Sequence, residues 1–205
     1  MKRPIIAVAI GFLFTADSSA QVGFGIKGGI NFATPGGADV ASIVKSRTGF
    51  AAGGYLEVSL PLLLTIQPEI LYTTKGFKME QNVTQLGQTY SSNSTNTYSY
   101  LEIPVLVKYS LPVPIVKPSL YVGPEVGFLL SAKNTYQATG IPSTDDDIKS
   151  SITNTDFGAV FGASAHLLVA DFDVRYTFGL KTTDNSNRAK LYNRVWSIMT
   201  AIPLF

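Results

Sequence analysis

Few residues of this sequence could take part in nucleophilic chemistry. His166 is the only histidine, and the absence of cysteine excludes thiolate nucleophiles, disulfides and cysteine zinc sites. Ser164 precedes His166 by two residues, so both would lie on one face of an extended strand. That spacing alone does not supply the hydrogen-bonded nucleophile, base and orienting group of a hydrolase. The pattern therefore predicts no catalytic residue and leaves an enzyme only as an alternative.

Charged residues of both signs recur at alternate positions of otherwise apolar segments. The set comprises Lys27, Glu57, Glu69, Glu102, Lys108, Glu125, Asp173 and Arg175. These carboxylates could serve as acid–base groups or line an ion path, but a buried charge without a partner is costly. The sequence therefore predicts that the set forms an internal network of ion pairs with a structural role.

Asp145, Asp146 and Asp147 follow one another in a polar region. Calcium prefers hard carboxylate oxygens, but this run lacks the glycine and the closing glutamate of an EF-hand loop. A solvated acidic loop is predicted, with no bound metal and no cofactor. The formal net charge of +2 and the lack of a basic stripe give no indication of nucleic-acid binding.

Residues 1–20 have the form of a secretory signal peptide. Lys2 and Arg3 precede an apolar stretch from Pro4 to Ala16, and small residues stand before a cut ahead of Gln21. The stretch is too short for a spanning helix, although an uncleaved N-terminal anchor is the alternative. The sequence predicts an exported domain of residues 21–205.

Eight segments of that domain alternate apolar and polar residues with a period of two, which predicts strands. Their predicted bounds are 22–32, 50–60, 64–75, 98–109, 117–131, 156–168, 171–181 and 190–205. Long polar connections at 33–48, 77–97 and 132–155 alternate with short turns. Prolines 68, 104, 118 and 124 predict bulges or weakened pairing, because proline removes a ladder donor.

The fold class predicted is all-β, an eight-stranded antiparallel up-and-down transmembrane β-barrel. Long connections then share one end, and short turns share the other with both chain termini, as in outer-membrane barrels. The polar face mixes charges with glycine and serine, which suits a lumen only eight strands wide. Aromatic residues near strand ends of the apolar face suit interfacial girdles: Phe24, Phe32, Tyr72, Tyr109, Phe128, Phe157, Tyr176 and Trp196. A soluble lipocalin-like carrier, with its apolar face inside, is the alternative.

Five stretches carry a resemblance to a known family: Gln67–Tyr72, Tyr100–Pro104, Lys117–Pro124, Asp156–Gly158 and Asn193–Phe205. With them, nearly all of residues 21–205 resembles the outer-membrane β-barrel domain family of porin-family or PorT-family proteins, small OmpX-like barrels. The resemblance implies a place in the outer membrane of a Gram-negative bacterium. It also implies that the barrel-insertion machinery reads the last strand, with Trp196 and Phe205 as the insertion signal.

Phe205 has the parity of Val195 rather than that of Trp196. Either Pro203 marks a bulge or Leu204 takes the outward position.

The expected function is non-enzymatic, a role in surface interaction or envelope integrity through the long loops. The resemblance implies one alternative, an accessory component of a protein-secretion system whose subunits would be its partners. A narrow channel is a further alternative, although side chains normally fill an eight-stranded lumen. Outer-membrane lipid and the barrel-insertion machinery are the other expected partners.

Overall fold

The computed structural model describes residues 21–37, 44–85, 88–139, 141–182 and 192–205, so the predicted signal peptide lies outside the described residues. Strands make up most of these ranges: β1 Val22–Gly36, β2 Val44–Ser59, β3 Leu64–Gln85, β4 Gln88–Ser110, β5 Val116–Ala138, β6 Ile141–Asp147, β7 Thr155–Leu167, β8 Ala170–Gly179 and β9 Tyr192–Pro203. A 3₁₀ turn, Lys149–Ser151, follows β6. No helix in the described ranges is long and apolar enough to cross a membrane.

Eight of the strands close into a ring. Strands β1 to β5 pair antiparallel in chain order, β5 pairs with β7, and β7, β8 and β9 continue to β1. The predicted eight-stranded up-and-down barrel is confirmed. β6 pairs with the outer part of β5 and stands outside the ring.

The predicted long connections are wrong in extent, because much of them is strand. The β3–β4 register runs from Leu64 and Tyr109 out to Gln85 and Gln88, so residues 77–85 pair with residues 88–96 as two strands. β6 lies within the predicted connection 132–155, and β1 and β2 extend into 33–48. These outer segments are polar on both faces, so the period-two signal that marks a half-apolar strand is missing there.

Of the bulges or weakened pairing predicted at the prolines, the structure shows weakened pairing at two and a bulge at none. The register passes Pro68, Pro104, Pro118 and Pro124 unchanged, but pairing is interrupted just after Pro68 on β3 and after Pro104 on β4. Each strand of a closed ring is held from both sides, so one missing donor does not shift it. The register shifts lie between Ser46 and Ala51, Ser99 and Tyr100, and Tyr136 and Ala138.

The apolar face points outward and the charged face points into the lumen. Ile70 and Trp196 are more than half exposed, whereas Lys27, Glu69 and Arg175 are buried. The predicted orientation is confirmed, and it is the reverse of a lipocalin-like carrier. An exposed apolar surface that circles the whole barrel requires lipid rather than water around it.

The end of the chain leaves the ladder after Pro203, which still pairs with Gly25 in register. The N–H groups of Leu204 and Phe205 then both donate to the carbonyl oxygen of Phe24. Because two residues of the chain end oppose the single residue Phe24, the Phe205 ring lies against the outward-facing Phe24 ring, with 6.1 Å between centroids. Phe205 thus reaches the outer surface in spite of its parity.

Candidate functional site

A ring of four alternating charges fills the middle of the lumen; we call it the middle cluster. Lys27 Nζ lies 2.8 Å from Glu69 Oε1 and 3.2 Å from Asp173 Oδ2. The Arg175 guanidinium donates to both Glu69 oxygens, at 2.8 and 3.1 Å, and to both Asp173 oxygens, at 3.1 and 3.4 Å. Each cation therefore contacts both carboxylates, and all four side chains are at most 3% exposed.

A second set of charges, the upper cluster, lies nearer to the long hairpins. Lys75 contacts Glu102, and its Nζ lies 3.6 Å from Glu125 Oε1. Asn193 Nδ2 donates to Asp156 Oδ2 at 2.6 Å in the same part of the lumen. All four charged residues are buried. The upper cluster thus has one cation for three carboxylates, unlike the balanced middle cluster.

Tyrosine rings pack beside the buried cations. The Tyr55, Tyr100 and Tyr121 rings lie 5.4 to 5.7 Å from Lys27 Nζ, Lys75 Nζ and Arg175 Cζ respectively. Two facing positions are glycine: a Cβ at Gly25 or Gly162 would fall within 2.5 Å of the Tyr55 or Tyr121 ring group. A cavity of about 10 Å³ remains between the two clusters, which is room for about one water.

A vestibule of about 560 Å³, lined by both charged and apolar side chains, opens at the short-turn end. Lys108 donates to Glu57 at 2.8 Å on its wall. His166 Nδ1 lies 3.2 Å from Asp171 Oδ1, directly across the β7–β8 pair. Lys117 lines the same space.

The predicted charged residues thus fall into three groups rather than one network. Lys27, Glu69, Asp173 and Arg175 form the middle cluster, Glu102 and Glu125 belong to the upper one, and Glu57 with Lys108 lies in the vestibule. Two members of the upper cluster, Lys75 and Asp156, were missing from the predicted set. Lys75 has the parity of Glu69, and Asp156 has that of Ser164, so face parity was a signal that could have found both.

The residues considered for chemistry do not assemble into a reactive site. Within the described residues, no hydrogen bond joins His166 to Ser164, which is buried beside Asp173 in the β7–β8 register. The described part of the chain has no group of three or more metal-ligating side chains placed to hold an ion. Asp145–Asp147 lie exposed on β6, where charge on an edge strand opposes pairing with other sheets.

Beyond the ring, the outer parts of β3, β4 and β5 join β6 in an extended sheet; we call it the outer sheet. β3 continues for thirteen residues past Tyr72, through Gln85, about 40 Å along the strand. Residues 78–97 contain three Ser, four Thr, three Asn and three Gln. The outer sheet is therefore polar and largely uncharged along this hairpin.

The solved structures that are similar to this chain include two outer-membrane proteins. Ail, the attachment invasion locus protein of Yersinia pestis, in complex with the heparin analogue sucrose octasulfate, is 10% identical, with a TM-score of 0.43 over 90% of this chain and 99% of that one. Neisserial surface protein A (NspA) is 14% identical, with a TM-score of 0.47 over the same shares. No curated protein matches this sequence.

The family is shown by the sequence itself. A model of the outer membrane protein beta-barrel domain matches residues 15–185, which is most of the chain. The closed ring, the outward apolar face and the charged lumen are the features such a domain requires in lipid. The chain therefore belongs to the outer membrane protein beta-barrel domain family, and its place is the outer membrane of a Gram-negative bacterium.

Proposed function

We propose that this protein is a non-enzymatic surface protein that acts in surface interaction through its outer sheet. The observation that carries the proposal is the length of the β3–β4 hairpin. The strands have 22 and 23 residues, whereas about 9–11 suffice to span the membrane. The excess lies at the long-connection end, which faces outward in outer-membrane barrels.

The interior of the barrel supports this reading over a narrow channel. The two ion clusters and the three tyrosines occupy the cross-section, and the cavity between the clusters has about 10 Å³. An ion that crossed would have to displace buried pairs whose separation is costly. The interior therefore serves to hold the ring closed.

The test removes the outer hairpin and leaves the spanning barrel intact. Phe77 and Asn96 face each other across β3 and β4, so an Asn-Gly turn can join them, because that dipeptide favours the tight hairpin turn. We expect the truncated barrel to fold and insert at wild-type levels. Self-association of producing cells, and their adhesion to protein-coated surfaces, should fall to the level of cells lacking the protein.

A control variant changes Asp145, Asp146 and Asp147 to asparagine, which keeps the outer sheet and removes its acidic run. We expect adhesion to be retained. Full adhesion by the truncated barrel would refute the proposal. Detergent sensitivity in a deletion strain that the truncated barrel corrects would assign the role to envelope integrity instead.

A second candidate is the accessory role in protein secretion, and the opposite end of the barrel favours it. All three short turns expose large apolar side chains to the periplasmic side: Leu62, Ile115, Leu168 and Val169 are each at least 78% exposed. Exposed apolar clusters mark interaction sites. Photo-cross-linkers at Leu62, Ile115 and Leu168 should then capture a stoichiometric protein, whereas capture of lipid alone would remove this candidate.

A further inference from the structure

Two cations lie on outward-facing aromatic rings at the outer rim of the barrel. Arg194 on β9 faces Phe178 on β8 in register, and its Cζ lies 5.4 Å from the centre of that ring. Lys181, just beyond β8, has its Nζ 5.7 Å from the centre of the Phe157 ring on β7. Such contacts hold a cation in place without neutralising it.

The height of these cations on the barrel follows from their neighbours. Tyr176 and Trp196 form an aromatic pair immediately below, with 4.9 Å between ring centroids, and Trp and Tyr rings of this kind mark the membrane interface. Phe157 and Trp196 are about half exposed on the lipid-facing surface. Lys181 and Arg194 therefore stand at the level of the outer-leaflet headgroups.

The salt bridges of the described residues leave both cations without a carboxylate. Among the residues that the structure describes, neither Lys181 nor Arg194 forms an ion pair with a carboxylate. The Arg194 side chain packs closely against Gly36, which has no side chain: a Cβ at Gly36 would lie 2.1 Å from Arg194 Nε. The guanidinium thus crosses β1 at a position where any larger residue would displace it.

The rim is not uniformly charged. The outward residues just above the apolar band on β1, β2 and β4 are Thr34, Thr48 and Ser99, which carry no charge, whereas Lys133 and Lys149 are exposed on the β5–β6 side. Guanidinium groups match phosphate geometry by donating two parallel hydrogen bonds. We propose that Lys181 and Arg194 each bind a phosphate group of the outer-leaflet lipid headgroups.

The experiment measures lipid retention by native mass spectrometry of the folded barrel released from detergent. The probes are diphosphoryl lipid A, its dephosphorylated form, and inorganic phosphate as a competitor. A double variant, Lys181→Gln with Arg194→Gln, should weaken diphosphoryl lipid A binding by about tenfold or more, since each basic residue near a membrane surface contributes on the order of a few-fold in affinity. Gly36→Ala, which keeps both charges but displaces the guanidinium, should give a smaller loss.

The matched control is Lys133→Gln with Lys149→Gln, which removes the same charge from the β5–β6 side of the same end. We expect it to bind as the wild type does. Equal losses in the two double variants would overturn the site and leave only general attraction to a basic surface. Undiminished binding of the dephosphorylated lipid, or displacement by inorganic phosphate at concentrations near that of the lipid, would overturn the headgroup as the ligand.

Discussion

The two clusters of buried charged residues in the lumen differ in their balance of positive and negative side chains. In the middle cluster each of two cations contacts each of two carboxylates, so no charge is left alone in a buried place. Gln67 Nε2 adds a further donor to Glu69. In the upper cluster Lys75 forms ion pairs with both Glu102 and Glu125, and Asp156 lies nearby.

This difference makes two buried glutamates unequal. Glu69→Gln removes one of two anions from a balanced ring and leaves Lys27 and Arg175 sharing Asp173, so we expect a loss of about 3–5 kcal/mol in the free energy of unfolding. Glu125→Gln removes an excess anion, so its cost should stay below about 1 kcal/mol. Urea unfolding in lipid vesicles measures both. Equal losses would show that charge balance does not govern the lumen.

At the scale of elements, the short turns adopt an unusual backbone. Leu62, Leu63, Ile115 and Leu168 have φ between 59° and 75°, in the left-handed region that non-glycine residues rarely enter. Ile115 is β-branched and 89% exposed, so its side chain gains little from packing within the chain. These turns carry a local cost that closing adjacent strands tightly imposes.

Replacing Ile115 by glycine should relieve that cost. We expect Ile115→Gly to raise the free energy of unfolding by about 1 kcal/mol, because the left-handed conformation costs an L-residue about that much. Val169→Gly is the matched control: Val169 is also highly exposed in a turn but does not have a positive φ. It should be neutral or destabilising. A loss in both variants would mean that the apolar side chains themselves stabilise the barrel.

Variants at the end of the last strand can separate the predicted insertion signal from the stability of the folded barrel. Phe205 stacks on Phe24 but is 85% exposed, so Phe205→Ala should refold in detergent almost as well as the wild type. If the insertion machinery reads this residue, assembly in the outer membrane should fall several-fold, as measured by heat-modifiable mobility of membrane fractions. Leu204→Ala is the control with the same truncation one residue earlier. Normal assembly of the Phe205 variant would remove Phe205 from the signal.

At the scale of the whole molecule, the barrel is a closed sheet with its polar residues inside. Closure leaves no unpaired spanning edge, which lipid requires of any sheet. The charged side chains that fill the lumen also cross-link strands that are distant along the chain. The interior is therefore a core made of ion pairs.

A filled lumen predicts a closed pore. Barrels reconstituted in planar bilayers should show conductance at the level of the unmodified membrane, because the space between the clusters admits about one water. The double variant Glu69→Ala with Arg175→Ala, which empties the centre, is the positive control and should conduct if it folds. Steady wild-type channels would revive the narrow-channel reading.

The sequence by itself determined the fold class, the spanning segments and the face that meets lipid. The alternation of apolar and polar residues, such as that from Leu64 to Tyr72, is a local property, and it indicates directly which side of a strand is apolar. The same parity would have placed Lys75 and Asp156 in the lumen. The outer hairpins carry no such signal, because water meets both of their faces.

Only the tertiary structure decided which charges meet. Lys27 is 42 residues from Glu69 and 146 from Asp173, and their contact depends on the stagger of strands around the closed ring. No local pattern encodes that stagger. The placement of Arg194 has the same origin, since Gly36, Phe178 and Arg194 come from three strands that adjoin only when β9 pairs with both β8 and β1. Ring closure therefore converts a simple alternation into specific clusters of charged residues in the lumen.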